Sequence, residues 1–120
     1  MRFSQKQAEI LQLDNLTTEQ FLSVAIETSN LLGWVFGNIS ETGFIAYTNN
    51  GLFSWNAEVK LKIRHGAANL QSESRGDDFI DFRENKKNIQ SFITTFKDLK
   101  ETLTPDELAS IYETFKVRFM

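Results

Sequence analysis

The sequence contains no cysteine, one histidine and one proline. The absence of cysteine excludes disulfides, thiolate nucleophiles and zinc sites with cysteine ligands. A catalytic dyad or a zinc site would place the histidine, His65, near carboxylates or further histidines, whereas it stands beside Gly66 in a predicted hairpin turn. We therefore assign His65 a structural role.

Long apolar runs are also missing. No stretch approaches the ~18 apolar residues of a membrane span. The N-terminal stretch MRFSQKQAEILQL carries polar residues, such as Lys6 and Glu9, where a signal peptide has its apolar centre. We expect no membrane span and a cytoplasmic location.

Motifs that carry chemistry are absent as well. The six glycines form neither a GxGxxG fingerprint nor a phosphate-binding P-loop. The densest acidic cluster lacks the spacing of a calcium-binding loop, and helix capping already explains part of it. Its members are Asp77, Asp78, Asp81 and Glu84. We expect a protein that is not an enzyme and that holds no cofactor and no metal.

The residues that are present suit one globular domain. The chain has 120 residues, 41% of them hydrophobic, including eleven phenylalanines, so we expect a single domain over residues 1–120. The formal net charge is −3 and the isoelectric point is about 5.1. This mildly acidic balance is not that of a dedicated nucleic-acid binder.

Apolar periodicity and turn residues predict an α+β domain. The predicted strands are 7–13, 34–40, 44–49, 52–64 and 67–74, of which the first is short. Thr17 and Gln20 predict a capping box at the start of a helix that ends at Gly33. Two further helices are predicted to begin at Asp81 and at Thr104-Pro105. We expect a two-layer sandwich: an antiparallel meander sheet of four to five strands, with one N-terminal and two C-terminal helices packed on it.

A two-residue turn at His65-Gly66 would fix the register of the last two strands. Arg64 would then face Ala67 and Ile63 would face Ala68. The pairing continues in this way, one residue back along the longest strand for each residue forward along the last strand. In this register Leu61 faces Leu70, but Val59 faces Ser72 and Ala57 faces Ser74. Because the apolar side thins out, we expect the last strand to lie at the sheet edge or to leave the core early.

Three cations share one side of the longest strand: Lys60, Lys62 and Arg64. Neighbouring cations lie about 7 Å apart on such a strand, so each pair repels by only ~0.6 kcal/mol in water. The row can therefore be a solvated face, or it can bind an anionic partner. The residues between the cations, Leu61 and Ile63, point the other way, which argues against an RNA-binding sheet with stacking aromatics. We expect no nucleic-acid partner.

Two strands carry apolar residues on both sides. Trp34 and Phe36 share one side of their strand, and Val35 and Ile39 share the other. In the next strand Phe44 alternates with Ile45. Either these strands are covered on both faces, or Trp34, Phe36 and Phe44 are exposed and form a protein contact or dimer patch.

The runs GFIAYTNNGLFSWNAEVKLKI, NLQSES, ENKKNIQSFITTF and LTPDEL resemble an uncharacterised bacterial cytosolic domain. That domain is fused, as a soluble N-terminal part, to rhomboid-family intramembrane proteases. The resemblance covers roughly residues 17 to 113 and rests on strand, turn and cap residues. The protease part is absent, because the chain has no GxSG motif. The resemblance therefore implies an accessory or interaction domain.

Three hypotheses follow. The first is an interaction domain whose sheet face contacts a protein partner or a second copy of the chain. The second is a small-ligand binder with a pocket between helices and sheet. The third is electrostatic docking of Lys60, Lys62 and Arg64 to an anionic surface such as a membrane.

Overall fold

The computed structural model describes residues 6–48, 57–74 and 82–119. The elements are β1 (Lys6–Gln12), α1 (Thr18–Leu31), β2 (Val35–Ser40), β3 (Gly43–Tyr47), β4 (Ala57–Arg64), β5 (Ala67–Ser74), α2 (Phe82–Thr102) and α3 (Pro105–Phe119). The five strands form one antiparallel sheet in the order β1-β5-β4-β3-β2. The predicted α+β architecture, with one N-terminal and two C-terminal helices, is confirmed. The predicted strand residues 52–56 and the predicted cap Asp81 lie outside the described residues.

Side-chain caps start two of the helices. Thr17 Oγ1 accepts from the Gln20 backbone N–H at 3.1 Å, and Gln20 Oε1 accepts in return from the Thr17 backbone N–H at 3.0 Å. Thr104 and Glu107 form the same reciprocal pair before α3. Each pair satisfies two backbone donors that the first helical turn leaves open. The predicted starts of α1 and α3 are therefore correct.

The hairpin of β4 and β5 has the predicted register. His65 and Gly66 form the two-residue turn with φ of 54° and 76°, and the pairs from Arg64↔Ala67 to Ala57↔Ser74 are those expected. Glycine takes a positive φ without strain. A two-residue turn with positive φ at both positions matches the twist of the two strands.

The prediction that β5 lies at an edge or leaves the core early is wrong. β1 pairs along β5 from Gln12↔Ala67 to Lys6↔Glu73, so β5 lies inside the sheet. Its polar residue Ser72 is fully buried because α2 supplies polar partners there. Ser72 Oγ donates to Asn85 Oδ1 at 2.8 Å and accepts from Asn88 Nδ2 at 3.2 Å. The helix-facing side of β5 becomes less apolar towards its end because Ser72, Asn85 and Asn88 form a polar cluster in this part of the helix–sheet contact.

The core lies between one face of the sheet and the helices. On β4, Ala57, Val59, Leu61 and Ile63 are buried, whereas the residues between them are half-buried or exposed. Aromatic rings from the helices join this core, with Phe21 of α1 and Phe96 of α2 4.5 Å apart between centroids. Helix α1 contacts both α2 and α3 and buries residues on several sides. Among the described helices, none has the length and apolar content that a membrane crossing requires.

Replacing Asn85 by alanine should lower the free energy of unfolding by about 1–3 kcal/mol, because the buried Ser72 hydroxyl loses its acceptor. Urea unfolding of the full chain measures this. Asn69→Ala is the matched control, since Asn69 is an exposed asparagine on β5, and it should change stability by less than about 0.5 kcal/mol. Equal losses in the two variants would contradict the polar-cluster assignment.

Candidate functional site

The face of the sheet that points away from the helices is the candidate site, and we call it the open face. The strand pairings align its residues in rows across the sheet. One row runs Ile10, Asn69, Lys62, Gly43, Ser40, and the next runs Ala8, Gln71, Lys60, Ile45, Asn38. A third row joins Gln12, Ala67 and Arg64. The structure thus places Lys60, Lys62 and Arg64 together in the middle strand of the open face.

A groove of about 580 Å³ lies over these rows. Its floor includes the three cations, and its sides include Ile10 from β1 and Asn38 from β2. Ile10 is 65% exposed, although it is a large apolar residue. The sequence alone did not indicate Ile10 and Asn38 as part of the site, because their place depends on which strands become neighbours.

The cations on the open face differ in their surroundings. Lys60 Nζ lies 3.2 Å from Glu58 Oε1 on the same strand. Glu58 in turn faces Glu73 directly across the β4–β5 pair. Lys62 and Arg64 form no ion pair with a carboxylate of the described residues. The cations without a carboxylate partner in the described part of the chain are therefore the two nearest the His65-Gly66 turn.

The aromatic candidates lie on the opposite, helix-covered side. Trp34 and Phe44 are only 8% and 4% exposed, and Phe36 is partly buried against the same core. The Trp34 ring stacks on Phe92 of α2 with centroids 5.9 Å apart, and Phe36 meets Phe44 edge-on at 5.2 Å. The interpretation of these three residues as an exposed contact patch is therefore wrong.

A β-bulge explains why β2 looked apolar on both sides. The register shifts between Phe36 and Asn38, so Ile39 faces Phe44 on the helix side instead of alternating away from it. The sheet consequently needs cover on one face only. On the other face Tyr47 lies close to Gly37, where an added Cβ would approach Tyr47 Cε2 to 2.5 Å.

A second groove, of about 210 Å³, lies between α1 and α3. It includes Glu19, Glu113 and the buried Tyr112. Burial raises the pKa of the Tyr112 hydroxyl above its ordinary value, and the negative charges of Glu19, Glu41 and Glu113 raise it further. This groove is acidic, so it would repel an anionic ligand.

The residues considered for metal binding do not form a site in the described part of the chain. No group of three or more His, Asp or Glu side chains there could hold a metal ion. His65 is exposed in its turn, and Asp77, Asp78 and Asp81 lie outside the described residues.

Replacing Phe44 by alanine should lower the free energy of unfolding by about 3–5 kcal/mol, since the change leaves a cavity in the core. Thermal and urea unfolding measure the loss. Val35→Ala is the control, because Val35 is 55% exposed and should lose less than about 1 kcal/mol. A stable Phe44→Ala variant with altered self-association would instead restore the contact-patch interpretation.

Neither the protein-family models nor the curated proteins with which the chain was compared gave a match. The resemblance to rhomboid-associated domains therefore stays a prediction.

Proposed function

We propose that this protein is a non-enzymatic interaction domain that binds an anionic protein partner through its open face. The observation that carries the proposal is the position of Lys60, Lys62 and Arg64. They lie together on the face that the described helices leave uncovered, in a chain whose formal net charge is −3. A local cationic surface on an acidic protein favours encounter with a partner of opposite charge.

The shape of the open face supports binding by a partner. The groove of about 580 Å³ gives a segment of a partner a recessed surface to occupy. Amide side chains flank the cations, with Asn69 and Gln71 on β5 and Asn38 on β2. Exposed Ile10 and half-buried Ile45 add apolar contacts. A protein-contact surface likewise combines polar groups with apolar contacts, which supports the proposal.

Docking to an anionic membrane is the weaker candidate. Each Lys or Arg near such a surface contributes about 1 kcal/mol, and membrane-binding segments carry about 4–8 of them. Lys62 and Arg64 would together supply about 2 kcal/mol, since Lys60 already pairs with Glu58. This is too little to hold the protein on a membrane by charge alone.

The helix–sheet interface favours no small-ligand pocket. Phe21, Val59, Leu70 and Phe92 are fully buried there, so side chains fill the space that a ligand would need. Both grooves described above lie elsewhere, on the open face and between α1 and α3. The pocket hypothesis therefore stays a sequence-based prediction without a structural observation in its favour.

An accessory role beside a membrane protease and a cytoplasmic location belong to this proposal only through the resemblance noted in the sequence. The domain context of close relatives would test both.

Self-association is also part of the proposal, because a second copy would be an acidic partner. Measurement of the mass of the protein in solution, across a series of concentrations, tests self-association.

Lys62→Glu/Arg64→Glu should weaken binding of an oligoglutamate peptide by about tenfold or more, because two attractions become repulsions. The measurement is a titration of the labelled full chain followed by backbone amide shifts. Binding of the unaltered protein should shift the amides of β3, β4 and β5 and should weaken as salt is added.

The matched control is Lys86→Glu/Lys87→Glu, which changes the same net charge at two exposed positions of α2. This variant should retain the binding of the unaltered protein. Equal weakening in both variants, or shifts spread over the helices, would show that the open face is not the binding site.

A further inference from the structure

Two cations of the open face, those without an ion pair among the described residues, have a fixed spacing, and we call them the free cations. Lys62 and Arg64 are two residues apart on one strand and point to the same side, which places their Cβ atoms about 7 Å apart. An extended peptide has the same repeat, since its alternate side chains also point to one side. Two carboxylates in positions i and i+2 of an extended chain therefore match these two cations.

The charges along β4 limit the match to two carboxylates. Beyond Lys62, the next cation is Lys60, which Glu58 already neutralises at 3.2 Å. In the following row Glu58 and Glu73 face each other, so β4 and β5 offer no further cation there. In the other direction the strand ends at the His65-Gly66 turn.

One side of the groove suits a peptide backbone. Asn69 lies beside Lys62 on β5 and is exposed. Its amide offers both donors and an acceptor, which a peptide C=O and N–H require. On the other side, the Ser40 hydroxyl of β2 already donates to Gly43 O and accepts from the Thr42 N–H, each at 3.3 Å. The groove thus presents an exposed amide group on the β5 side of Lys62.

Nucleic acid fits this arrangement poorly. Tyr47 is the aromatic residue that the described strand pairings place on the open face, and it faces Glu58. A base stacked on Tyr47 would bring its phosphates closer to Glu58 than to Lys62 and Arg64. The stacking group and the free cations are at different ends of the face.

From this geometry we propose that the open face binds an extended acidic peptide segment of a partner protein, with two carboxylates two residues apart. Lys62 and Arg64 receive these carboxylates, and Lys60 contributes little because Glu58 holds it. This inference rests on the proposed function and adds to it the chemical class and the spacing of the ligand.

Three synthetic peptides of identical composition test the spacing. Each contains two aspartates in a threonine background. The aspartates stand at positions i and i+1 in the first peptide, i and i+2 in the second, and i and i+3 in the third. The labelled full chain is titrated with each peptide, and the amide shifts of β3, β4 and β5 give the Kd. The peptide with two-position spacing should bind about two- to fivefold more tightly than the others, the difference expected from one additional exposed ion pair.

Single substitutions test the roles of the cations. Lys62→Ala and Arg64→Ala should each abolish the preference for two-position spacing, whereas Lys60→Ala should preserve it. Unchanged amide shifts outside the open face confirm that each variant is folded. Loss of the preference in Lys60→Ala, or its persistence in Arg64→Ala, would overturn the assignment.

The other outcomes separate this inference from the proposed function. Equal affinity for all three peptides, with loss of binding in Lys62→Glu/Arg64→Glu, would overturn the spacing and leave the interaction domain standing. Tighter binding of oligothymidylate or of phosphatidylglycerol vesicles would overturn the peptide class. A mass that rises with concentration, and falls back in Arg64→Glu, would identify a second copy as the occupant instead. Absence of binding to every anion, oligoglutamate included, would overturn the proposed function itself.

Discussion

The aromatic contacts between helices and sheet are the interaction on which the structure depends. Phe92 of α2 stacks on Trp34 before β2 and on Phe96 one helical turn later, and Phe96 contacts Phe21 of α1. These rings join two helices and the start of a strand in one continuous cluster. Because the cluster draws the helices to one side, the other side of the sheet stays uncovered, and the cations of β4 lie there.

Stability and the proposed binding share one constraint, the two-residue period of β4. Val59, Leu61 and Ile63 enter the core, and Lys60, Lys62 and Arg64 consequently reach the open face. A register slip of one residue would bury the cations and expose the apolar residues, at a high cost in free energy. The burial of the apolar residues therefore also fixes the position of the cations on the open face.

Features encoded by adjacent residues could be predicted from the sequence. The caps at Thr17 and Thr104, the turn at His65-Gly66 and the register that follows from it are all local. Features that depend on distant segments could not. The place of β1 beside β5, the partners of Ser72 on α2 and the bulge after Phe36 require knowledge of what lies next to each strand.

The residues of the candidate site also divide into those that local sequence predicts and those that depend on distant segments. The common side of Lys60, Lys62 and Arg64 follows from alternation on one strand and was predicted. The environment of Trp34 and Phe44 stayed open between burial and exposure, because alternation shows that two residues share a side without showing which side is covered. The neutralisation of Lys60 by Glu58 depends on side-chain reach, which the alternation pattern does not specify.

The bulge in β2 also affects how this sheet can meet another one. β2 is an edge strand, and its register shift between Phe36 and Asn38 interrupts the even ladder of backbone groups. An incoming strand needs such a ladder to add edge to edge, so the bulge protects this side of the molecule against uncontrolled sheet extension and aggregation.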